Sequence, residues 1–354
     1  MFMGKKDVGI FESVDGGCDV WSSKSSADHL VVMVNGIIGS ATDWQYAAEQ
    51  FVKEIPDKVF VHCSERNVSN LTLDGVDVMG ERLAEEVLEV IQSKPNLRKI
   101  SFVAHSVGGL VARYVIGRLY RSSVTEPLED SCNRENKEDS MGTLGGLEAM
   151  NFITVATPHL GSRGNKQVPF LFGVTALEIA ARYIINVIFR RTGQHLFLTD
   201  HDEGKAPLLK RMVEDYDGYY FISALCTFKR RVLYSNVRYD YIVGWRTSCI
   251  RRDNELPTWE DAIIEKYPHV VYEEHCTACD AEQSDLVEDT DCDKIEEELV
   301  TALSRMSWEK VGVDFPTQKF TAHSVIQVCV LHCPCFHHML MCFSVTRITI
   351  SFVT

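Results

Sequence analysis

The chain has 354 residues, 45% of them apolar and 24% charged, with a formal net charge of −14. That much apolar material can bury a large core, which excludes a disordered chain, and the acidic balance excludes nucleic acid as the main partner, because phosphate binding needs a basic footprint. Twelve cysteines without repeating spacing fall short of a disulfide scaffold.

Met1 to Ile10 carries Lys5, Lys6 and Asp7 and no apolar run of secretory type, so the expectation is a cytoplasmic chain with reduced thiols. The sequons at Asn67 and Asn70 are then idle. His29 to Val34 (HLVVMV) is a short β-branched run of buried-strand type, and it enters the glycine-punctuated turn Asn35-Gly36-Ile37-Ile38-Gly39-Ser40. Trp44 to Glu54 has helical spacing and Lys58 to Cys63 is strand-like. Glu81 to Gln92 sets Leu83, Val87, Leu88 and Ile91 on one helical face. Lys99 to Ala104 predicts another buried strand, followed at once by His105-Ser106-Val107-Gly108-Gly109 and a helix over Leu110 to Tyr120. Later strands are predicted at Phe152 to Ala156, Tyr219 to Leu225 and Arg231 to Val237. This alternation implies βαβ units and a mostly parallel sheet covered on both faces.

Four stretches break the rhythm. Residues 122–141 read as an acidic surface insertion. Val168 to Phe189 is long and apolar, but Glu178, Arg182 and Asn186 recur every four residues, which points to an amphipathic helix and not a membrane span; a lid over 168–198 is the corresponding expectation. Residues 273–298 hold twelve acids against Lys294 and read as a solvated loop or exposed helix, with no calcium-loop spacing. Residues 329–354 form an atypical cysteine-rich tail with one formal charge, Arg347. The two acidic segments together carry −15, so the remainder of the chain is near neutral at +1.

Ala104-His105-Ser106-Val107-Gly108, with strand before and helix after, fits a nucleophile elbow: a tight turn lifts the serine above the sheet, and the helix N-terminus favours negative charge. A serine hydroxyl needs a base and an acid to orient that base, in the chain order Ser, acid, His. Asp240, just past the Arg231 strand, is the best-placed acid; Asp215 and Asp217 precede a strand instead. The base could be His269, His275, His323, His332, His337 or His338, with His323 in a loop-like run before an apolar segment. Backbone N–H groups of Ile37 and Val107 are the expected oxyanion donors. Neither His275-Cys276-Thr277-Ala278-Cys279 nor the group Cys333, Cys335, His337, His338 and Cys342 has paired zinc spacing, so no metal and no cofactor is expected.

These residues resemble the putative serine esterase, lipase-like family of α/β-hydrolases, particularly its plant members. The resemblance covers roughly residues 28–328. It rests on Val34 to Ser40, Thr72 to Ala84, Phe102 to Gly109, Ala156 to Ser162, Tyr239 to Ser248 and Ala322-His323. It implies an α/β-hydrolase fold with a helical cap and a triad of Ser106, Asp240 and His323. It further implies hydrolysis of carboxylic esters, acyl-lipid esters foremost, with peripheral contact to a membrane or lipid droplet left open and no transmembrane span. Two departures stand out: Asn35 replaces a histidine common in related lipases, and Val330 to His338 lacks the helical period that usually follows the base. A catalytically silent lipid- or partner-binding scaffold and an acyltransferase using the same triad are the alternatives.

Overall fold

The computed structural model describes residues 8–12, 18–22, 26–122, 142–162, 189–200, 204–216, 218–258, 267, 269–278, 291–317 and 321–332. Among the described residues nine strands form one sheet: β1 (Val8–Glu12), β2 (Cys18–Ser22), β3 (His29–Val34), β4 (Val59–Cys63), β5 (Lys99–His105), β6 (Glu148–Val155), β7 (Arg230–Asn236), β8 (Val270–Cys276) and β9 (Trp308–Val313). Their order across the sheet is β1-β2-β4-β3-β5-β6-β7-β9-β8. From β4 to β9 all neighbours are parallel, whereas β2 runs antiparallel to β1 and β4, and β8 antiparallel to β9.

Alternate side chains of the central strands feed two cores. Leu30, Val32 and Val34 of β3 and Ile100, Phe102 and Ala104 of β5 face α2 (Val76–Ser93), α3 (Gly108–Leu119), α4 (Phe221–Thr227) and α5 (Asp291–Ser304). Val31, Met33 and Val103 face α1 (Gln45–Glu54) and Ile326 of α6 (Ala322–His332). Parallel strands buried on both faces explain why the sequence runs were continuously apolar. This is the α/β-hydrolase fold expected from the sequence.

Several elements differ from expectation. Tyr219 to Leu225 is not a strand: only Tyr219–Tyr220 pair, with Asp215–Tyr216, and Phe221 begins α4. Phe221, Ala224 and Leu225 are buried at helical spacing, and the Asp215 carboxylate accepts the N–H groups of Ile222 (2.9 Å) and Ser223 (3.3 Å), capping the helix from a hairpin. The acidic stretch 273–298 is not simply loop or helix. Its start belongs to edge strand β8, where Val270 and Val271 are buried, and its end to α5. β9 carries Trp308, fully buried, and was not anticipated. The insertion at 122–141 lies outside the described residues except Ser122, and so do 168–188 of the lid expectation and 333–354 of the tail. Among the described residues no helix is long and apolar enough to cross a membrane, and no group of three or more His, Cys, Asp or Glu could hold a metal ion.

Four neighbouring strands leave the sheet through left-handed, non-glycine residues at the same edge. These are Ile38 (φ 58°) beyond β3, Ser106 (φ 53°) after β5, Ala156 (φ 47°) after β6 and Tyr239 (φ 62°) beyond β7. Such geometry is strained for L-residues and clusters at functional sites.

Three buried histidines make the fold sensitive to acid. Burial, with Lys99 nearby, lowers His29 to about 4; burial and the adjacent His323 lower His105 to about 3; burial, Arg113 and Lys310 push His159 well below its ordinary value. All three stay neutral in the fold but gain protons in the unfolded chain below about pH 6.5. Stability is therefore expected to be level above that pH and to fall as pH drops from 6.5 toward 4, by roughly 1 kcal/mol per pH unit for each histidine. Urea melts at pH 7.5, 5.5 and 4.5 check this, and an unchanged midpoint would contradict it.

Candidate active site

The site lies at the C-terminal edge of the parallel strands, where the four left-handed residues cluster. At the end of β5 the chain turns at Ser106 and enters α3 two residues later. The Ser106 N–H donates to the Val155 carbonyl (2.9 Å), and the Thr157 hydroxyl donates to the Ser106 carbonyl (2.9 Å), so both peptide groups of the strained residue are held by the end of β6 and the turn just beyond it. The turn works only with small residues behind it. A Cβ on Gly108 would stand 2.4 Å from the Asn35 carbonyl oxygen and 2.8 Å from that of Val34, and one on Gly109 would stand 2.1 Å from Thr157 Oγ1. Backbone oxygens cannot swing aside. Gly108→Ala is therefore expected to destabilise the protein by about 2 kcal/mol or more and to displace the Asn35 loop. Urea denaturation measures the first effect and ester turnover the second.

That loop carries Ile37, one of the two expected oxyanion donors; the other, Val107, follows Ser106. The Asn35 amide donates to the Gly36 carbonyl (3.1 Å) and the Asn67 carbonyl (3.0 Å), so a short amide braces the turn. Ile38 N–H is taken by Thr72 Oγ1 (2.8 Å) and Gly39 N–H by the Gly36 carbonyl (3.2 Å). Among the described residues the N–H groups of Ile37 and Val107 have no such acceptor. Gly36 packs tightly on Ser106, since a Cβ there would lie 3.0 Å from Ser106 Cβ. Val107 stands at the N-terminus of α3, whose dipole favours negative charge.

Asp240 and His323 meet Ser106 from the other side. His323 Nε2 lies 2.9 Å from Ser106 Oγ and its Nδ1 3.0 Å from Asp240 Oδ2. Asp240 Oδ1 accepts the N–H groups of Ile242 (3.0 Å) and Val243 (2.8 Å), and Oδ2 also accepts the Asn236 amide (2.8 Å). The Asp240 side chain is 2% exposed. Burial opposes its ionisation, yet the hydrogen bond and charge of His323, the Val243 N–H and the Asn236 amide outweigh burial and hold the carboxyl below its ordinary value. An ionised carboxylate accepts, so Nδ1 of His323 carries the proton and Nε2 is left to accept from the Ser106 hydroxyl.

The sequence read the stretch around His323 as loop-like; the structure makes His323 the second residue of helix α6, which runs on to His332 despite the irregular composition that follows. Asn236 donates to the Ala322 carbonyl (3.2 Å) as well as to Asp240, and so helps hold the first turn of that helix. Of the other histidines, His269 Nδ1 pairs with the Asp314 carbonyl (3.2 Å) and its ring packs on Phe315, His275 lies on edge strand β8, and His332 ends α6. Residues 337 and 338 lie outside the described residues. Asp215 serves as the cap of α4. Sequence reasoning missed Asn236, Thr157 and Thr72, whose partners are distant in the chain; only Asn236, four residues before Asp240, had a local signal.

The described end of the expected lid, residues 189–198, is helical over 189–196 and docks on the start of α2. Thr192 Oγ1 accepts the Gly75 N–H (3.0 Å) and donates to the Thr72 carbonyl (2.8 Å), and His195 Nδ1 accepts the Val76 N–H (3.0 Å).

Residues 24–251 match the family described as "Putative serine esterase (DUF676)". The chain is 29% identical over 239 residues to Putative lipase C4A8.10 of Schizosaccharomyces pombe, covering 65% of this chain and 27% of that protein. It is 30% identical over 227 residues to Putative lipase ROG1 of Saccharomyces cerevisiae, covering 63% of this chain and 28% of that one. The match thus spans little more than a quarter of either relative. Among solved structures it is similar to the mature form of Bacillus licheniformis lipase BlEst2 (TM-score 0.35, 16% identity, 60% of this chain and 67% of that one). It is also similar to the Pyrococcus furiosus esterase Pf2001 (TM-score 0.34, 13% identity, 69% and 75%).

Proposed function

We propose, from the premise that the chain belongs to the DUF676 serine esterase family, that it hydrolyses carboxylic esters through Ser106, His323 and Asp240. The observation that carries this reading is the hydrogen-bonded series from Ser106 Oγ through the two nitrogens of His323 to Asp240 Oδ2, at 2.9 and 3.0 Å. Ser106 Oγ attacks the ester carbonyl while His323 Nε2 takes its proton. Asp240 stabilises the imidazolium without taking the proton itself. The carbonyl oxygen, now an oxyanion, is received by the N–H groups of Ile37 and Val107. His323 then protonates the departing alcohol, and the same groups activate water to release the acid from the acyl-enzyme.

An acyl-lipid ester is the substrate class we favour. Ile38 is 61% exposed in the oxyanion loop, and Tyr241 (45%) and Ile242 (63%) are exposed in the loop of the acid. Apolar side chains left in solvent on both flanks of a nucleophile suit an acyl chain better than a charged one. The hydrolase body is taken as 28–328.

Labelling with a fluorophosphonate, followed by peptide mapping, tests the reading. Adduct on Ser106, together with hydrolysis of model esters that improves with acyl length, is the expected result. An unlabelled, folded chain would instead make this a silent scaffold.

A further inference from the structure

We propose that His105, the residue before the nucleophile, is a positioning residue for the base: its imidazole holds the His323 carbonyl and so sets where the His323 ring stands over Ser106. This rests on the reading of Ser106, His323 and Asp240 given above.

His105 Nε2 lies 2.8 Å from the His323 carbonyl oxygen. A carbonyl only accepts, so Nε2 must carry the proton, and the tautomer of His105 is set by that bond. The two rings also pack together, with centroids 4.8 Å apart at 44°. His105 is 6% exposed, and burial followed by the neighbouring His323 keeps it neutral down to about pH 3. A neutral donor does not compete for the Ser106 proton and adds no second positive charge beside the imidazolium that forms during attack.

The consecutive carbonyls of Ala322 and His323 are each gripped by a side chain from a strand end, Asn236 of β7 for the first and His105 of β5 for the second. β5 and β7 flank β6 in the sheet. The first turn of α6 is thereby strapped across three strands. Because His105 is bonded covalently to Ser106, any shift of the elbow is passed to the base directly, although the two histidines are 218 residues apart. A displacement of about 1 Å between reacting groups is enough to cost about 100-fold in rate.

Three substitutions separate this role from mere filling of space. In His105→Gln the amide nitrogen falls where imidazole Nε2 stood; in His105→Asn it reaches only the Nδ1 position; His105→Leu has no donor. With kcat and KM measured on a soluble ester and counted per folded chain, His105→Gln is expected within about threefold of wild type. His105→Asn and His105→Leu are expected to lose about 10- to 100-fold in kcat with KM within about twofold, and fluorophosphonate labelling to slow in parallel. If His105→Leu fails to fold, the Gln and Asn pair decides. Equal kcat for Gln and Asn, loss in all three with matching loss of melting temperature, or a change confined to KM would overturn the inference. A wild-type chain that neither labels nor turns over would bring down the catalytic reading itself; a wild type that labels, with variants that label equally fast, would bring down only the role of His105.

Discussion

Ser106→Ala is expected to lower ester turnover by about 10⁴- to 10⁶-fold per folded chain, with His323→Ala close behind. On the proposed reading the two side chains form one device, because the hydroxyl is a poor nucleophile until Nε2 at 2.9 Å accepts its proton. Removing either leaves the other without a task. The double variant is therefore expected to be no slower than the single ones, and a multiplicative loss would show that the two act independently. Activity above the background rate should survive in all three variants, roughly 10³-fold over water, since the Ile37 and Val107 N–H groups and the binding surface remain. Folding is not expected to suffer from Ser106→Ala: the backbone bonds to Val155 and from Thr157 do not involve the hydroxyl. Pre-steady-state and steady-state kinetics on the same preparations, with melting curves as the control, measure these outcomes.

Asp240→Asn is the second large effect, about 10⁴-fold in kcat, and it follows from the orientation of donors around the carboxylate. Oδ1 is occupied by two backbone N–H groups and Oδ2 by the Asn236 amide and His323 Nδ1. A substituted amide keeps its oxygen toward the backbone donors and turns its NH₂ toward Asn236 and His323. The Asn236 amide then faces another donor. It cannot rotate freely to offer its oxygen, because its NH₂ also holds the Ala322 carbonyl. His323 Nδ1 must become an acceptor, which moves its proton to Nε2, the atom that has to receive the serine proton. Geometry is kept and the tautomer is wrong. Loss of rate with KM nearly unchanged and normal melting is the expected signature; a kcat within tenfold of wild type would exclude Asp240 as the orienting acid.

Where the sequence was readable, one short stretch held both the signal and its cause. His29 to Val34 and the Lys99 strand were legible because both faces of these strands are buried, and the elbow because Ser106 sits between a strand and a helix only two residues apart. Tyr219 to Leu225 was misread for the opposite reason. Phe221, Ala224 and Leu225 make too brief a pattern to tell helix from strand, and the cap that decides it, Asp215, arrives through a hairpin. Residues 273–276 of β8 were read as loop or helix from their acidity, yet charge on an edge is compatible with pairing on its other side. At the site, Asp240 could be named from its position past a strand end, and His323, one of six histidines in the right chain order, from the family resemblance. What braces them could not. His105 acts across 218 residues, Asn236 on Ala322 across 86 and Thr72 on Ile38 across 34, and no periodicity encodes such distances.

The left-handed residues along the sheet edge carry a consequence for how such a chain can change over generations. A glycine at Ile38 or Tyr239, neither of which is buried in the core, would relieve about 1–2 kcal/mol of backbone strain and give up about 0.5–1 kcal/mol in chain entropy, a near balance. Folding stability therefore tolerates glycine at these two positions, while the placement of the loops proposed to hold the oxyanion and the acid depends on them. On the proposed reading, variation there can accumulate almost unseen among well-folded chains and surface as altered rate or altered choice of ester, so these two strained positions are where new specificities can arise without first endangering the fold.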